Sequence, residues 1–302
     1  MIRKRTVLSL IITLVFVVGF AGVSSVLAAS EKVENEVNNY FANLPEDNAM
    51  IAQDNFVEKV KAGEDLFILD IRGEDVYNEG HINGAYNLPW GSEAISENLD
   101  KLPADETIYV YCYTAQTANQ TVALLNFAGF EAKSVKFGWN LGITRVDGYE
   151  DIVETEVNEL EGTTSYEIDS EIKSAVVDYY KGLAEVSGTT FANYKISEEN
   201  LKMLVDAEAD ITILSIRQPS AFEEGHIPGA VNIAWGKGMQ ENFDQLSKDK
   251  QIVVYCYTGQ TAGQAVAGLR MLGYNAVSLN GGMGTAVNKP HGWLNQGYDV
   301  VK

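Results

Sequence analysis

Cysteine and histidine are scarce, with two Cys and three His in 302 residues. A closed zinc site needs four donors of those types brought together, so a Cys/His metal centre is a poor reading and no metal is expected. Positive charge is also short. Lys and Arg number 22 against 42 Asp and Glu, giving a formal net charge of −20. Such a surface repels nucleic-acid phosphates and anionic membranes, and no basic stripe overrides it, so nucleic acid is excluded as a partner. No G-x-G-x-x-G or G-x-x-x-x-G-K-[ST] pattern follows a strand-like run, which removes the nucleotide cradles, and no cofactor is expected. What is present is ample apolar material: 46% hydrophobic and 21% charged residues, in a length that suits two domains.

The first 29 residues read as an address. Arg3, Lys4 and Arg5 precede an apolar stretch from Val7 to Val23, and small residues follow at Ser24, Ser25, Ala28 and Ala29. Charged, apolar and small regions in that order make a secretory signal, and a cut after Ala28 or Ala29 fits. The apolar run is also long enough for a retained anchor, and only then is membrane contact expected. Either outcome places the remainder outside the cytoplasm, as a secreted, periplasmic or cell-surface protein.

Beyond that segment the chain repeats itself at an offset of 144 to 145 residues. Phe67-Ile-Leu-Asp-Ile-Arg72 matches Thr212-Ile-Leu-Ser-Ile-Arg217, and Glu79-Gly-His-Ile-Asn-Gly-Ala85 matches Glu224-Gly-His-Ile-Pro-Gly-Ala230. Between Val110–Leu125 and Val254–Leu269 twelve of sixteen positions agree, the exceptions being Ala115/Gly259, Asn119/Gly263, Thr121/Ala265 and Leu124/Gly268. The unit is a domain rather than a solenoid repeat. Domains are expected at 30–146 and 176–302. Between them, 147–175 reads as an acidic linker: Asp147 to Glu171 holds ten acidic residues and no Lys or Arg, although Ile152, Val153 and Val157 offer a way to dock it on a domain.

Within each copy short apolar runs alternate with helical patterns. Leu66–Ile71, Ile211–Ile216, Thr107–Tyr111 and Gln251–Tyr255 have strand length and composition. Gln116–Phe127 and Gln260–Leu272 have helical spacing and stop at Gly129 and Gly273, while Gln53–Ala62 and Glu198–Asp206 form earlier helices, the latter capped by Ser197. Strands separated by helices predict an α/β fold in which a parallel sheet is flanked by helices on both faces, in two copies.

Each Cys falls between a buried-looking strand and a helix start, in Tyr111-Cys112-Tyr-Thr-Ala-Gln-Thr-Ala118 and Tyr255-Cys256-Tyr-Thr-Gly-Gln-Thr-Ala262. That is the carboxyl end of a strand, where open α/β sheets place their sites. A tight loop there turns backbone N–H groups inward, and the helix N-terminus adds partial positive charge. Both favour a thiolate, so a nucleophilic Cys needs no basic neighbour. The bland alternative is a small buried hydrophobe. A disulfide would need the two loop mouths to face each other at a Cα separation below about 7 Å, whereas each Cys keeps the same place in its own copy.

These residues resemble the rhodanese family of sulfurtransferases. The marks are Asp70-Ile-Arg72, the Gly-His-Ile segments and the two Cys loops, with Leu279-Asn-Gly-Gly282 and Trp293 similar to the family's closing segment. The resemblance implies a ping-pong cycle in which a Cys takes the outer sulfur of a donor such as thiosulfate, becomes a persulfide, and passes the sulfur to cyanide or a thiol. It makes Cys112 and Cys256 the catalytic persulfide carriers, with Cys256 the stronger. The cradles would be Tyr113, Thr114, Ala115, Gln116 and Thr117 in one copy and Tyr257, Thr258, Gly259, Gln260 and Thr261 in the other. Trp90 and Trp235 stand where they would either wall the pocket or pack the core. His81 and His226 look architectural, and Arg72 and Arg217 look like buried charge partners. Asp70 is the natural partner for Arg72. Ser215 replaces it in the second copy, so Arg217 is expected to use Glu223 or Glu224.

Two departures bear on the substrate. Neither loop contains the Lys or Arg that thiosulfate-using members often place there, which favours a neutral polysulfide or persulfide donor. Ala115 also replaces the loop glycine kept at Gly259, a strain if that position needs positive φ. A Cys-dependent phosphatase is a weak rival, because an Arg should close its loop and Thr117 and Thr261 stand there instead. The remaining alternatives are a non-catalytic persulfide carrier and a structural protein on an inactive scaffold.

Overall fold

The computed structural model describes residues 29–162 and 166–302, so the expected export segment lies almost wholly outside the described residues. The first unit comprises α1 (Glu31–Ala42), β1 (Met50–Ile51), α2 (Gln53–Lys61), β2 (Phe67–Asp70), α3 (Glu74–Glu79), β3 (His81–Ile82), β4 (Ala85–Asn87), α4 (Ala94–Glu97), β5 (Ile108–Tyr111), α5 (Gln116–Phe127), β6 (Ala132–Val135) and α6 (Gly138–Leu141). Its five-stranded sheet has the order β1-β6-β5-β2-β4, with every pairing parallel. β5 is buried at all four positions, which is why it reads as an unbroken apolar run rather than an alternating one.

The acidic stretch is not a free tether. Ile152 is buried, and β7 (Val153–Glu154) pairs antiparallel with β3. Glu154 accepts from the Gly84 amide at 2.7 Å and from Asn158 Nδ2 at 2.8 Å, whereas Val157 stays exposed. The second unit repeats the plan with α7 (Ser170–Glu185), β8 (Lys195–Ile196), α8 (Glu198–Asp206), β9 (Ile211–Ser215), α9 (Pro219–Glu224), β10 (Ala230–Asn232), β11 (Gln251–Tyr255), α10 (Gln260–Met271) and β12 (Ala276–Leu279). Its sheet order, β10-β9-β11-β12-β8, is again all parallel. Ser197 caps α8 as expected, its Oγ accepting from the Asn200 amide at 3.2 Å.

α5 and α10 pack against each other at the centre of the molecule, so almost every residue of both helices is buried. The entry helices cross over. Phe41 of α1 meets Trp235 and Phe243 of the second unit edge-on, with ring centroids at 6.0 and 5.5 Å. Tyr180 of α7 meets Trp90 of the first unit at 5.5 Å. Polar groups on the buried central helices find partners across the same boundary: Gln264 Nε2 donates to Asn119 Oδ1 at 2.6 Å, and Tyr179 donates to Gln120 Oε1 at 2.5 Å. Among the described residues no helix is long and apolar enough to cross a membrane.

Candidate active site

β5 and β11 are the middle strands of their sheets, and each delivers its Cys to the carboxyl edge one residue after its last paired position. Ala115 and Gly259 then turn the chain into α5 and α10 with φ of 66° and 86°. The first loop therefore holds a non-glycine residue in the left-handed region, at a cost of about 1 kcal/mol. The turn aims amides at sulfur. Ala118 N donates to Cys112 Sγ at 3.4 Å, and Gly259 N donates to Cys256 Sγ at 3.1 Å. Both thiols are free and nearly covered, at 3% and 4% exposure.

A second chain segment braces each loop from behind. Trp139 N donates to Cys112 O and Asn140 N to Tyr113 O; in the other copy Met283 N donates to Cys256 O and Gly284 N to Tyr257 O, all at 2.8–2.9 Å. This approach needs glycine. A Cβ on Gly138 would stand 2.4 Å from Cys112 O, and one on Gly282 would stand 2.6 Å from Cys256 O. Amides and a helix N-terminus converging on a sulfur stabilise negative charge on it, or on a second sulfur bonded to it. Each loop thus presents one amide to its sulfur and carries no basic side chain of its own.

The two loops meet across the domain boundary. Gln116, the first residue of α5, donates to Ser278 Oγ at 2.7 Å and Leu279 O at 2.9 Å and accepts from Gly281 N at 3.4 Å. Gln260 reciprocates by accepting from Phe137 N at 3.0 Å. The two glutamines therefore lock the domains together rather than simply starting their helices. Thr114 and Thr258 line one narrow cleft with Gln116, Phe137, Asn280 and His291. Tyr113 and Tyr257 are exposed beside the loops, while Thr117 is buried and Thr261 half-buried on the first helical turns.

The chain belongs to the rhodanese-like family. The family model for the rhodanese-like domain matches it twice, at residues 52–142 and 197–286. Thiosulfate sulfurtransferase GlpE of Coxiella burnetii is 35% identical over 77 residues, covering 25% of this chain and 71% of its own length. The Bacillus subtilis protein named "Putative sulfur carrier protein YrkF" is 29% identical over 83 residues, 28% of this chain, which spans only 44% of that relative. Among solved structures, thiosulfate sulfurtransferase from Pseudomonas aeruginosa aligns over 83% of this chain and 46% of its own at 19% identity, with a TM-score of 0.32. The two parallel sheets are thus the tandem rhodanese-like domains.

Several side chains of the family pattern brace the fold. Arg72 is buried, with Nε 3.0 Å from both Asp70 oxygens and Nη2 at 2.6 Å from Oδ2 and 2.7 Å from Gly80 O. Burial opposes its charge, but the Asp70 carboxylate outweighs that and holds the guanidinium above its ordinary value. His81 and His226 stack on Tyr77 and Phe222 at 3.6 and 3.8 Å and place Nδ1 beside the carbonyls of those residues. Both rings thus pack on an aromatic face and meet a carbonyl at the end of the preceding helix, while His81 Nε2 is buried without a hydrogen-bond partner.

Two expectations need correction. Arg217 uses neither Glu223 nor Glu224: its Nη2 donates to Gly225 O at 2.6 Å, and Nε is buried without a partner, because Ser215 is too short to replace a carboxylate. Trp90 and Trp235 do not line the cleft; both are spent on the crossed entry helices, and Trp235 Nε1 also donates to Asn48 Oδ1 at 2.7 Å.

Two charged groups of the second unit were not among the expected site residues. Glu198 Oε1 accepts from Gly292 N at 2.6 Å and lies 3.7 Å from His291 Nδ1, at the cleft. Lys195 on the edge strand β8 lies within electrostatic reach of Cys112. Burial pushes its ammonium below the ordinary value, while Cys112 and then Glu198 pull it back up. The repeat alignment held one signal for this cation: Lys195 falls at the position of Met50.

Proposed function

We propose that this protein is an extracytoplasmic sulfurtransferase that carries sulfane sulfur on Cys112 and Cys256 as persulfides. The observation that supports this reading is the amide aimed at each sulfur from the loop and helix start that follow it. In the loading half-reaction the thiolate attacks the outer sulfur of the donor. A new S–S bond forms to Cys, the donor's own S–S bond breaks, and with thiosulfate sulfite leaves with the electron pair. In the second half-reaction a thiolate or cyanide attacks the outer persulfide sulfur, the S–S bond to Cys breaks, and the Cys departs as thiolate. The loop amides hold the anion in both steps without titrating, so no general base is required. Gln116 and Gln260 fix the mutual position of the loops.

Intact-mass analysis of the reduced full chain after exposure to thiosulfate or polysulfide tests this reading. One added sulfur per Cys is expected, with one lost in each of Cys112→Ser and Cys256→Ser and both lost in the double variant. Failure of both donors to add mass would overturn it. Loading with release to cyanide or a thiol identifies an enzyme, whereas loading without turnover would leave a sulfur carrier.

A further inference from the structure

The second domain keeps the frame of the Asp70–Arg72 pair and lacks its acid. Asp70 lies opposite Asn87 and Tyr111 in the sheet, and Ser215 lies opposite Asn232 and Tyr255. Asn87 Nδ2 donates to Asp70 O at 2.8 Å and Arg72 O at 3.0 Å. Asn232 Nδ2 donates to Ser215 O at 2.8 Å and Arg217 O at 2.9 Å. The backbone of the second turn has therefore not moved in to take up the shorter side chain.

The two arginines also hold one pose. Arg72 Nη2 donates to Gly80 O at 2.7 Å and Arg217 Nη2 to Gly225 O at 2.6 Å. Each guanidinium carbon stands 5.4 Å from the ring centre of its tyrosine, Tyr111 or Tyr255. What differs is the group that faces Nε. In the first domain Nε meets both Asp70 oxygens at 3.0 Å, and the Arg72 amide meets Oδ1 at 2.8 Å. In the second, Nε is buried with no protein partner, and the Arg217 amide meets Ser215 Oγ at a longer 3.4 Å.

A guanidinium keeps its charge in any protein setting, and a water can fill its hydrogen bond without neutralising it. Arg217 is 5% exposed and has no carboxylate within 4.0 Å among the described residues. Its aromatic contacts are weaker too, since Tyr257 stands at 5.9 Å where Arg72 has Trp139 at 4.0 Å. A buried charge left in that condition is costly, and a counter-anion relieves the cost.

We propose that the second domain binds a small monovalent anion of the chloride class in the place that the Asp70 carboxylate fills in the first. Arg217 Nε and the Arg217 amide donate to it as their counterparts donate to Asp70, and the Ser215 hydroxyl adds a third donor. One negative charge is all the site balances. A single guanidinium faces it, and Glu223 and Glu224 immediately precede the Gly225 carbonyl to which Arg217 is bonded. A dianion such as thiosulfate is therefore excluded. The ion belongs to the fold and takes no part in sulfur transfer: the carboxylate that the first domain carries in its sequence is supplied to the second from solution.

Thermal unfolding of the full chain in sodium chloride and in sodium gluconate at equal ionic strength tests this, because gluconate is too large for a carboxylate's place. Hydrogen exchange of β9 and β11 amides follows the second domain, and that of β2 and β5 amides the first. At about ten times the fitted Kd for chloride, the second domain's midpoint should rise by about 4 °C while the first domain's stays unchanged. Ser215→Asp and Arg217→Met should each erase the difference, one by supplying the carboxylate and the other by removing the charge. Asp70→Ser should give the first domain a chloride dependence of its own. Crystals grown in bromide should show anomalous density beside Arg217 Nε. Equal second-domain midpoints in the two salts, a difference that survives Ser215→Asp, or an ordered peak at Nε without a bromide signal each overturns the proposal.

Discussion

Replacing Asp70 by serine would import into the first domain the arrangement that the second domain carries at Ser215. Arg72 would lose three contacts of 2.6–3.0 Å to a carboxylate at the end of β2, and its amide would lose the Oδ1 acceptor at 2.8 Å. Removing one member of a buried ion pair costs about 3–5 kcal/mol, because the other charge stays out of water. Two supports survive: the bond to Gly80 O and the stacking over Trp139 at 4.0 Å. A desolvated cation–π contact of this kind is worth about 1–2 kcal/mol, so the expected loss sits at the low end, about 3 kcal/mol. For a domain of this size that is a fall of about 10 °C in its unfolding midpoint. Thermal unfolding of the full chain, with hydrogen exchange of β2 and β5 amides to isolate the first domain, measures it. Arg72→Met added to Asp70→Ser should recover much of the loss, since no charge is then stranded. A loss under about 1 kcal/mol, or no recovery in the double variant, would refute the argument. The reverse change, Ser215→Asp, should stabilise the second domain by about 1 kcal/mol or more, because it gives the orphaned Arg217 Nε a partner.

Gly138→Ala should cost the first domain about 3 kcal/mol, because its Cβ meets the rigid Cys112 carbonyl at positive φ; sulfur loading at Cys112 should vanish while Cys256 still loads. Gln264→Leu removes the partners of Tyr40 and Asn119 at the domain boundary, and a loss of about 2 kcal/mol with faster proteolysis between the domains is expected. Glu154 tests pH dependence. Burial works against its charge, but the bonds from Asn158 and Gly84 and the nearby His81 outweigh it and hold the carboxyl below its usual range. A depressed folded value means this stability is complete above the unfolded carboxylate value, about 4.3, and is lost as pH falls through the folded one. Glu154→Gln should therefore flatten the acid limb of the stability curve measured by denaturation from pH 6 downward; an unchanged limb would count against the assignment.

Much of the fold was legible locally. Gln251–Tyr255 and Gln116–Phe127 have the bounds their composition predicts, since β-branched runs, helix stops and strand-to-helix loops act within a few residues. The duplication and the place of each Cys at a strand end were equally open to reading. α1 and α7 were not read as helices, because their apolar faces are completed by the opposite unit, through Phe41 on one side and Tyr180 on the other. Three of the four mismatches in the best repeat block face the other unit. In three dimensions a Cβ at Gly263 would lie 2.4 Å from Gln116 O, one at Gly268 would lie 2.4 Å from a Phe41 ring carbon, and one at Gly259 would lie 2.9 Å from the Gln116 amide carbon.

The sequence by itself therefore determined two α/β units and two sulfur loops, because backbone sterics and hydrophobic period are short-range. Only the tertiary structure decided that Thr114 and Thr258, one from each loop, line the same cleft. Docking two near copies brings together side chains with no local relation, and small differences such as Gly263 against Asn119 then decide how closely the two units approach.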